Sequence, residues 1–246
     1  MAHEQISIPT ADGECPTHVF IPEGKSSSPA VIVYMDALGM RPAVLDVAKR
    51  LAENGYLALL PDLFYRSGDY DIPPPREAFA SGDLMKIIGP FMAATGPKKA
   101  AKDTHYFLDY LDTRSDVKGH KVGTVGFCMG GGMALASAGT WPDRVAAAAS
   151  YHGGGIASDK TDSPHLLAPQ MTAEIYVAGA DNDESYPPEM ADRMEKALAN
   201  AGVEHRCEIY EGALHGWMMP DFPVYNRDAA ERGWREMLAL FDRNLR

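Results

Sequence analysis

One run near the middle of the chain constrains it most: Gly123-Thr124-Val125-Gly126-Phe127-Cys128-Met129-Gly130-Gly131-Gly132. An apolar strand pattern ends at Gly126, Cys128 stands two positions on, and glycines crowd the far side. The helix-forming series Met133-Ala134-Leu135-Ala136-Ser137-Ala138 follows at once. The pattern is a strand, a sharp turn and a helix with a nucleophile at the apex, a G-x-S-x-G elbow in which cysteine replaces serine. The turn is strained, so small residues must flank it. The apex side chain then stands at the carboxyl end of the sheet. The next backbone N–H, that of Met129, is placed to bind a developing oxyanion.

An elbow enzyme carries its acid and its histidine downstream, in that order. After Cys128 the run Glu174-Ile175-Tyr176-Val177-Ala178-Gly179-Ala180 reads as a strand ending in the acidic turn Asp181-Asn182-Asp183. Later, Arg206-Cys207-Glu208-Ile209-Tyr210 reads as a strand, and Glu211-Gly212-Ala213-Leu214 leads to His215. Both candidates fall just after strands, where the catalytic loops of an open α/β sheet gather. Asp181 and Asp183 both remain eligible as the acid on this reading. Asp181 lies directly after the strand, and a turn residue holding the strand end is its alternative role.

The chain resembles the dienelactone hydrolase family of α/β-hydrolases. The resemblance rests on Gly126-Phe127-Cys128-Met129-Gly130-Gly131, on Ala180-Asp181-Asn182-Asp183 with Tyr186-Pro187-Pro188-Glu189, and on Tyr210-Glu211-Gly212-Ala213-Leu214-His215-Gly216. Weaker matches are Tyr34-Met35-Asp36-Ala37-Leu38-Gly39 and Leu60-Pro61-Asp62-Leu63-Phe64. The resemblance implies an α/β-hydrolase fold, with a mostly parallel sheet and helices on both faces. It also implies cofactor-free, metal-free hydrolysis of a carboxylic ester or lactone by Cys128, His215 and an acid. In similar chains the acid stands four residues before the proline that opens the next helix. Here that proline is Pro187, which selects Asp183. The backbone N–H of Ala37 becomes the second oxyanion donor.

Asp36 occupies the place of a family glutamate that helps convert the resting thiol to a thiolate. The same nucleophile-activating role falls to Asp36, one methylene shorter. Family members hold the substrate carboxylate with arginines, one of them shortly after the histidine. Met219 stands there instead, with Trp217 and Met218 beside it. This predicts an apolar pocket wall built by Trp217 and Met219, and uncharged short-chain esters or lactones as good substrates. Arg66 and Arg76 are the candidates for a remaining anion contact, with Arg76 the one assigned to the pocket.

The rest of the chain alternates strand and helix patterns, which implies parallel pairing. A hairpin opens it, with strands at 5–8 and 17–21, followed by strands at 30–34 and 56–60. Helices are expected over 42–54, 98–113, 188–201 and 224–243. The segment 62–96, with Pro73-Pro74-Pro75 and several glycines, breaks the rhythm and is expected to be an irregular lid over the site. At 246 residues, one α/β domain over 1–246 accounts for the chain.

A formal net charge of −11 with no basic run argues against nucleic acid and anionic membranes as partners. No apolar stretch approaches the roughly 18 residues of a transmembrane helix. The first residues have no basic start and no apolar run, so no signal peptide is expected. Three widely spaced cysteines, Cys15, Cys128 and Cys207, form no disulfide framework and no zinc-site spacing. A cytoplasmic monomer or homodimer acting on a small ester or lactone fits. The rival class is a noncatalytic small-molecule binding protein on the same fold, but such a protein has no need of nucleophile, acid and base together. A nucleotide-dependent enzyme lacks its G-x-x-x-x-G-K-[ST] run.

Overall fold

The strands Ala30–Tyr34 (β3), Leu57–Pro61 (β4) and Val122–Phe127 (β5) are buried at every position. Continuous burial of this kind belongs to central strands covered on both faces. A computed structural model, which describes all residues 1–246, has them inside one eight-stranded sheet. The other strands are Ala2–Thr10 (β1), Gly13–Ile21 (β2), Val145–Tyr151 (β6), Glu174–Ala180 (β7) and His205–Tyr210 (β8). Their order is β1-β2-β4-β3-β5-β6-β7-β8. β1 and β2 pair antiparallel, β2 runs antiparallel to β4, and every pairing from β4 to β8 is parallel.

The helices are Pro42–Glu53 (α1), Pro75–Ala80 (α2), Leu84–Ala94 (α3), Pro97–Asp112 (α4), Met129–Thr140 (α5), Pro188–Asn200 (α6) and Arg227–Leu245 (α7). On one face α1 and α7 are joined by the Arg50–Glu231 ion pair at 2.6 Å. On the other, α5 packs against β3, β5 and β6, with α4 beside it. A single contiguous cluster of 69 buried residues forms the core.

The order places the site. β3 neighbours β4 on one side and β5 on the other, so the chain reverses direction across the sheet between β3 and β5. The crevice at such a switch point lies at the carboxyl ends of the two strands. Asp36 and Ala37 follow β3, Cys128 follows β5, Asp183 follows β7 and His215 follows β8.

Differences from the sequence reading lie at the edges and in 62–96. The hairpin strands are longer than their apolar cores, because backbone pairing runs from Ala2↔Ile21 to Thr10↔Gly13. The last helix starts three residues later than its pattern, where the Asn226 side chain accepts from the Ala229 N–H and caps it. The segment 62–96 is not irregular throughout: it contains a 3-10 turn at Tyr65–Ser67 and the helices α2 and α3. Pro75 sits in the first turn of α2, where a missing N–H is harmless. Asp83 caps α3 by accepting from Lys86 N–H, and the helix runs on through the internal Pro90.

Two glycines decide whether the elbow can close. A Cβ on Gly126 would stand 1.8 Å from the carbonyl oxygen of Gly130, and one on Gly130 would stand 2.2 Å from that of Tyr34. Both obstacles are backbone and cannot swing away. A Cβ on Gly132 would meet nothing nearer than the Pro97 ring at 3.3 Å. Gly130→Ala is therefore predicted to destabilise the fold by at least about 3 kcal/mol, whereas Gly132→Ala stays within about 1 kcal/mol of wild type. Urea unfolding of the two variants checks the contrast.

Candidate active site

Cys128 has φ 52 and ψ −116, a conformation L-residues avoid. It is held there by its own N–H, which donates to Tyr151 O at 3.0 Å and to Nδ1 of His152 at 3.2 Å. The Met129 N–H that follows opens α5, where an N–H has no partner within the helix. Across the crevice, Ala37 N–H makes no backbone hydrogen bond, while its neighbour Leu38 donates to the Asp36 carboxylate at 2.9 Å. Ala37, Cys128 and Met129 line one cavity.

His215 and Asp183 complete the group. His215 Nε2 lies 3.1 Å from Cys128 Sγ, and Nδ1 donates to Asp183 Oδ2 at 2.7 Å. Asn182, at φ 52, turns the chain after β7 so that Asp183 faces inward. Ser185 donates to Asp183 Oδ1 through both its N–H, at 2.8 Å, and its hydroxyl, at 2.6 Å. Its Oγ also lies 3.1 Å from His215 Nδ1. Asp181 does something else: its carboxylate accepts from Gly212 N–H at 3.0 Å, tying the end of β7 to the loop that carries His215. Cys128, His215 and Asp183 thus come together, and Asp181 stands apart.

Burial alone would lower the His215 pKa, but the Asp183 and Cys128 partners outweigh it and push the value up to about 10. Burial works in the opposite direction on Asp183, and there the contacts with His215 and Ser185 win, holding its carboxyl below the usual range.

The assignments of Asp36, Trp217, Met219, Arg76 and the candidate Arg66 come out differently from the sequence expectation. Asp36 makes no hydrogen bond to Cys128. Both its oxygens are taken by Arg41, at 2.7 and 2.8 Å, and Arg41 also binds Asp221 at 2.7 Å. The shorter side chain finds a guanidinium five residues along, so the carboxylate orders the loop after β3. Trp217 and Met219 are fully buried and line no part of the cavity. After the turn at Gly216, Trp217 stacks on Tyr210 at 4.4 Å and meets Tyr151 edge-on at 5.9 Å. Arg76 is exposed and does not line the cavity either. Arg66 bonds Asp103 and Asp12 instead.

Several residues escaped the sequence reading. His152 is fully buried at φ 40, with its ring 5.4 Å from that of His215. Burial, with the His215 charge, drives its pKa well below the ordinary histidine value, so it stays neutral. Its signal was its place after β6, matching Asp183 after β7 and His215 after β8. Arg41, Asp221 and Ser185 gave no motif signal.

Comparisons with known proteins identify the family and the fold. The model of the dienelactone hydrolase family matches residues 15–245. The chain is 26% identical over 245 residues to a protein of Synechocystis sp. named putative carboxymethylenebutenolidase, covering 98% of this chain and 96% of that one. A crystal structure of a putative dienelactone hydrolase from Klebsiella pneumoniae superposes with a TM-score of 0.83 at 25% identity, covering 98% of each chain. The acylaminoacyl peptidase of Pyrococcus horikoshii, 14% identical with a TM-score of 0.74 over 99% of this chain and 42% of its own, shares the fold alone.

The His215–Asp183 pair makes stability depend on pH. A histidine raised from 6.5 to about 10 stabilises the folded state fully below about pH 6.5 and loses that contribution as pH rises to about 10. The stability difference between wild type and His215→Asn is therefore predicted to shrink from pH 6.5 to 10. Urea titrations at several pH values read this, and a difference that grows over the interval contradicts the pairing.

Proposed function

We propose that this chain, which belongs to the dienelactone hydrolase family, hydrolyses a carboxylic ester or lactone through Cys128, His215 and Asp183. The observation that carries the reading is the continuous relay from Cys128 Sγ to His215 Nε2 at 3.1 Å and from His215 Nδ1 to Asp183 at 2.7 Å. Nucleophile, base and orienting acid within hydrogen-bond reach are what acyl transfer requires.

In this reading His215, kept protonated by Asp183 and Cys128, already holds the proton given up by Cys128 when Sγ attacks the carbonyl carbon. The Ala37 and Met129 N–H groups hold the oxyanion that forms. When the tetrahedral intermediate collapses, the C–O bond breaks and His215 gives its proton to the leaving oxygen. Cys128 is left as a thioester. Water then attacks the thioester carbonyl while His215 accepts a proton from it. The second collapse releases the acid and the Cys128 sulfur, and leaves the proton on His215 for the next turnover. Asp183 holds the imidazole in the required tautomer and steadies the imidazolium throughout. Asp36, Arg41 and Asp221 order the loop that presents the Ala37 N–H.

We take 1–246 as one domain, in which α2 and α3 of the 62–96 segment cap the cavity. All three thiols are unpaired, which supports a reducing compartment such as the cytoplasm.

Hydrolysis of p-nitrophenyl acetate by purified variants tests the assignment. Cys128→Ala is predicted to lose activity by several orders of magnitude while keeping its thermal unfolding transition. Asp183→Asn is predicted to lower kcat by about ten-thousand-fold, and Asp181→Asn by far less. Near wild-type turnover in Cys128→Ala contradicts the reading, and a larger loss in Asp181→Asn than in Asp183→Asn contradicts the choice of acid.

A further inference from the structure

The cavity above Cys128 has a volume of about 700 Å³. Acetyl transfer needs only a small part of such a space. Its charged lining residues are Lys160, Asp183, Glu184 and His215. Asp183 and His215 are paired with each other, and Lys160 and Glu184 are opposite in sign. No arginine lines it: Arg41 is held by Asp36 and Asp221, and Arg66 by Asp12 and Asp103. A carboxylate carried into this space would leave water without a fixed partner fork, which is costly.

Apolar surface is supplied in an ordered way. Leu84, Ile88 and Met92 of α3 all line the cavity, and their four-residue spacing puts them in one stripe along the helix. Phe222 and Val224, from the loop after His215, line it too, and Phe222 meets Phe79 of α2 edge-on at 5.1 Å. The apolar surface does not stop inside. Met85 and Leu214 are cavity-lining residues that remain 60% and 50% exposed. Lone exposed apolar side chains are ordinary, but a group of them continuous with an apolar cavity marks a ligand groove.

We propose that the α3 stripe is a subsite for an uncharged, extended apolar arm of the substrate. Its acyl chain extends from Cys128 over the stripe of Leu84, Ile88 and Met92, with the exposed Met85 at the Leu84 end of that stripe. This inference rests on the proposed ester hydrolysis and names the substrate class: neutral esters with a medium-length aliphatic or aryl acyl group. Burying each added methylene against the stripe strengthens transition-state binding, by up to about fourfold per group. A terminal carboxylate on the same chain forfeits that gain.

The test is kcat/KM for p-nitrophenyl acetate, butyrate, hexanoate and octanoate, together with the mono-p-nitrophenyl ester of suberic acid, which matches octanoate in carbon count but ends in a carboxylate. From acetate to octanoate kcat/KM is predicted to rise at least about thirtyfold. The suberate half-ester is predicted to run at least about tenfold below octanoate. Met92→Ser and the exposed-site variant Met85→Glu are predicted to lower the octanoate-to-acetate ratio by about fivefold or more. Met85 is too exposed for its substitution to threaten folding, so the ratio remains readable. A flat chain-length series, or preference for the half-ester, overturns the subsite. If the series is flat while Cys128→Ala is inert, only the subsite falls. An active Cys128→Ala removes the nucleophile on which the subsite depends.

Discussion

Everything at this site depends on how closely α5 is pressed onto β3 and β5. Gly126 and Gly130 carry no Cβ, so the first turn of the helix lies against the backbone of Tyr34 and Met35. That contact forces Cys128 into its positive-φ turn, a strain on the order of 1–3 kcal/mol that the surrounding packing must offset. It also fixes two backbone donors relative to each other. The Met129 N–H opens the helix, and Ala37 lies just beyond the β3 backbone that Gly130 touches. A looser elbow would move Cys128 Sγ and both N–H groups independently.

Two charge arrangements, each built on a buried carboxylate, hold the remaining loops against that frame. One is Ser185–Asp183–His215, which aims the imidazole at Cys128. The other is Asp36–Arg41–Asp221, which joins the loop after β3 to the loop after β8. Arg41 further lies over the Phe222 ring, 5.1 Å from its centre, so the clamp also touches the apolar cavity wall. Asp36 is fully buried, and removing its only guanidinium partner would leave an uncompensated charge in the core. The Ala37 side and the His215 side of the crevice are thus mechanically linked through one arginine.

The parts of this site that lie on strand ends were legible in the sequence. Cys128, Asp183 and His215 each follow an apolar run, and the glycines around Cys128 announce the turn between strand and helix. Asp183 was separated from Asp181 only by the family spacings to Pro187 and to His215, because local pattern cannot tell a strand-end hydrogen bond from an inward-facing carboxylate. Trp217 and Met219 were misread for a related reason. Apolar residues after His215 suit a pocket wall or a core equally well, and the turn at Gly216 sends them inward. Asp36 and Arg41 are close in sequence, but their pairing depends on how the loop after β3 folds back. The pocket wall came instead from α3, whose Gly89-Pro90 pair disguised a helix as loop.

The central claim is that Cys128 carries the acyl group. The most direct measurement is peptide mass spectrometry of enzyme mixed with an activated ester and quenched in acid within the first turnovers. The account predicts an acyl mass increment on the peptide containing Cys128, formed at the rate of the initial burst and absent from Cys128→Ala. Turnover with no adduct on that peptide, or an adduct on Cys15 or Cys207 that forms and decays at the catalytic rate, would contradict it.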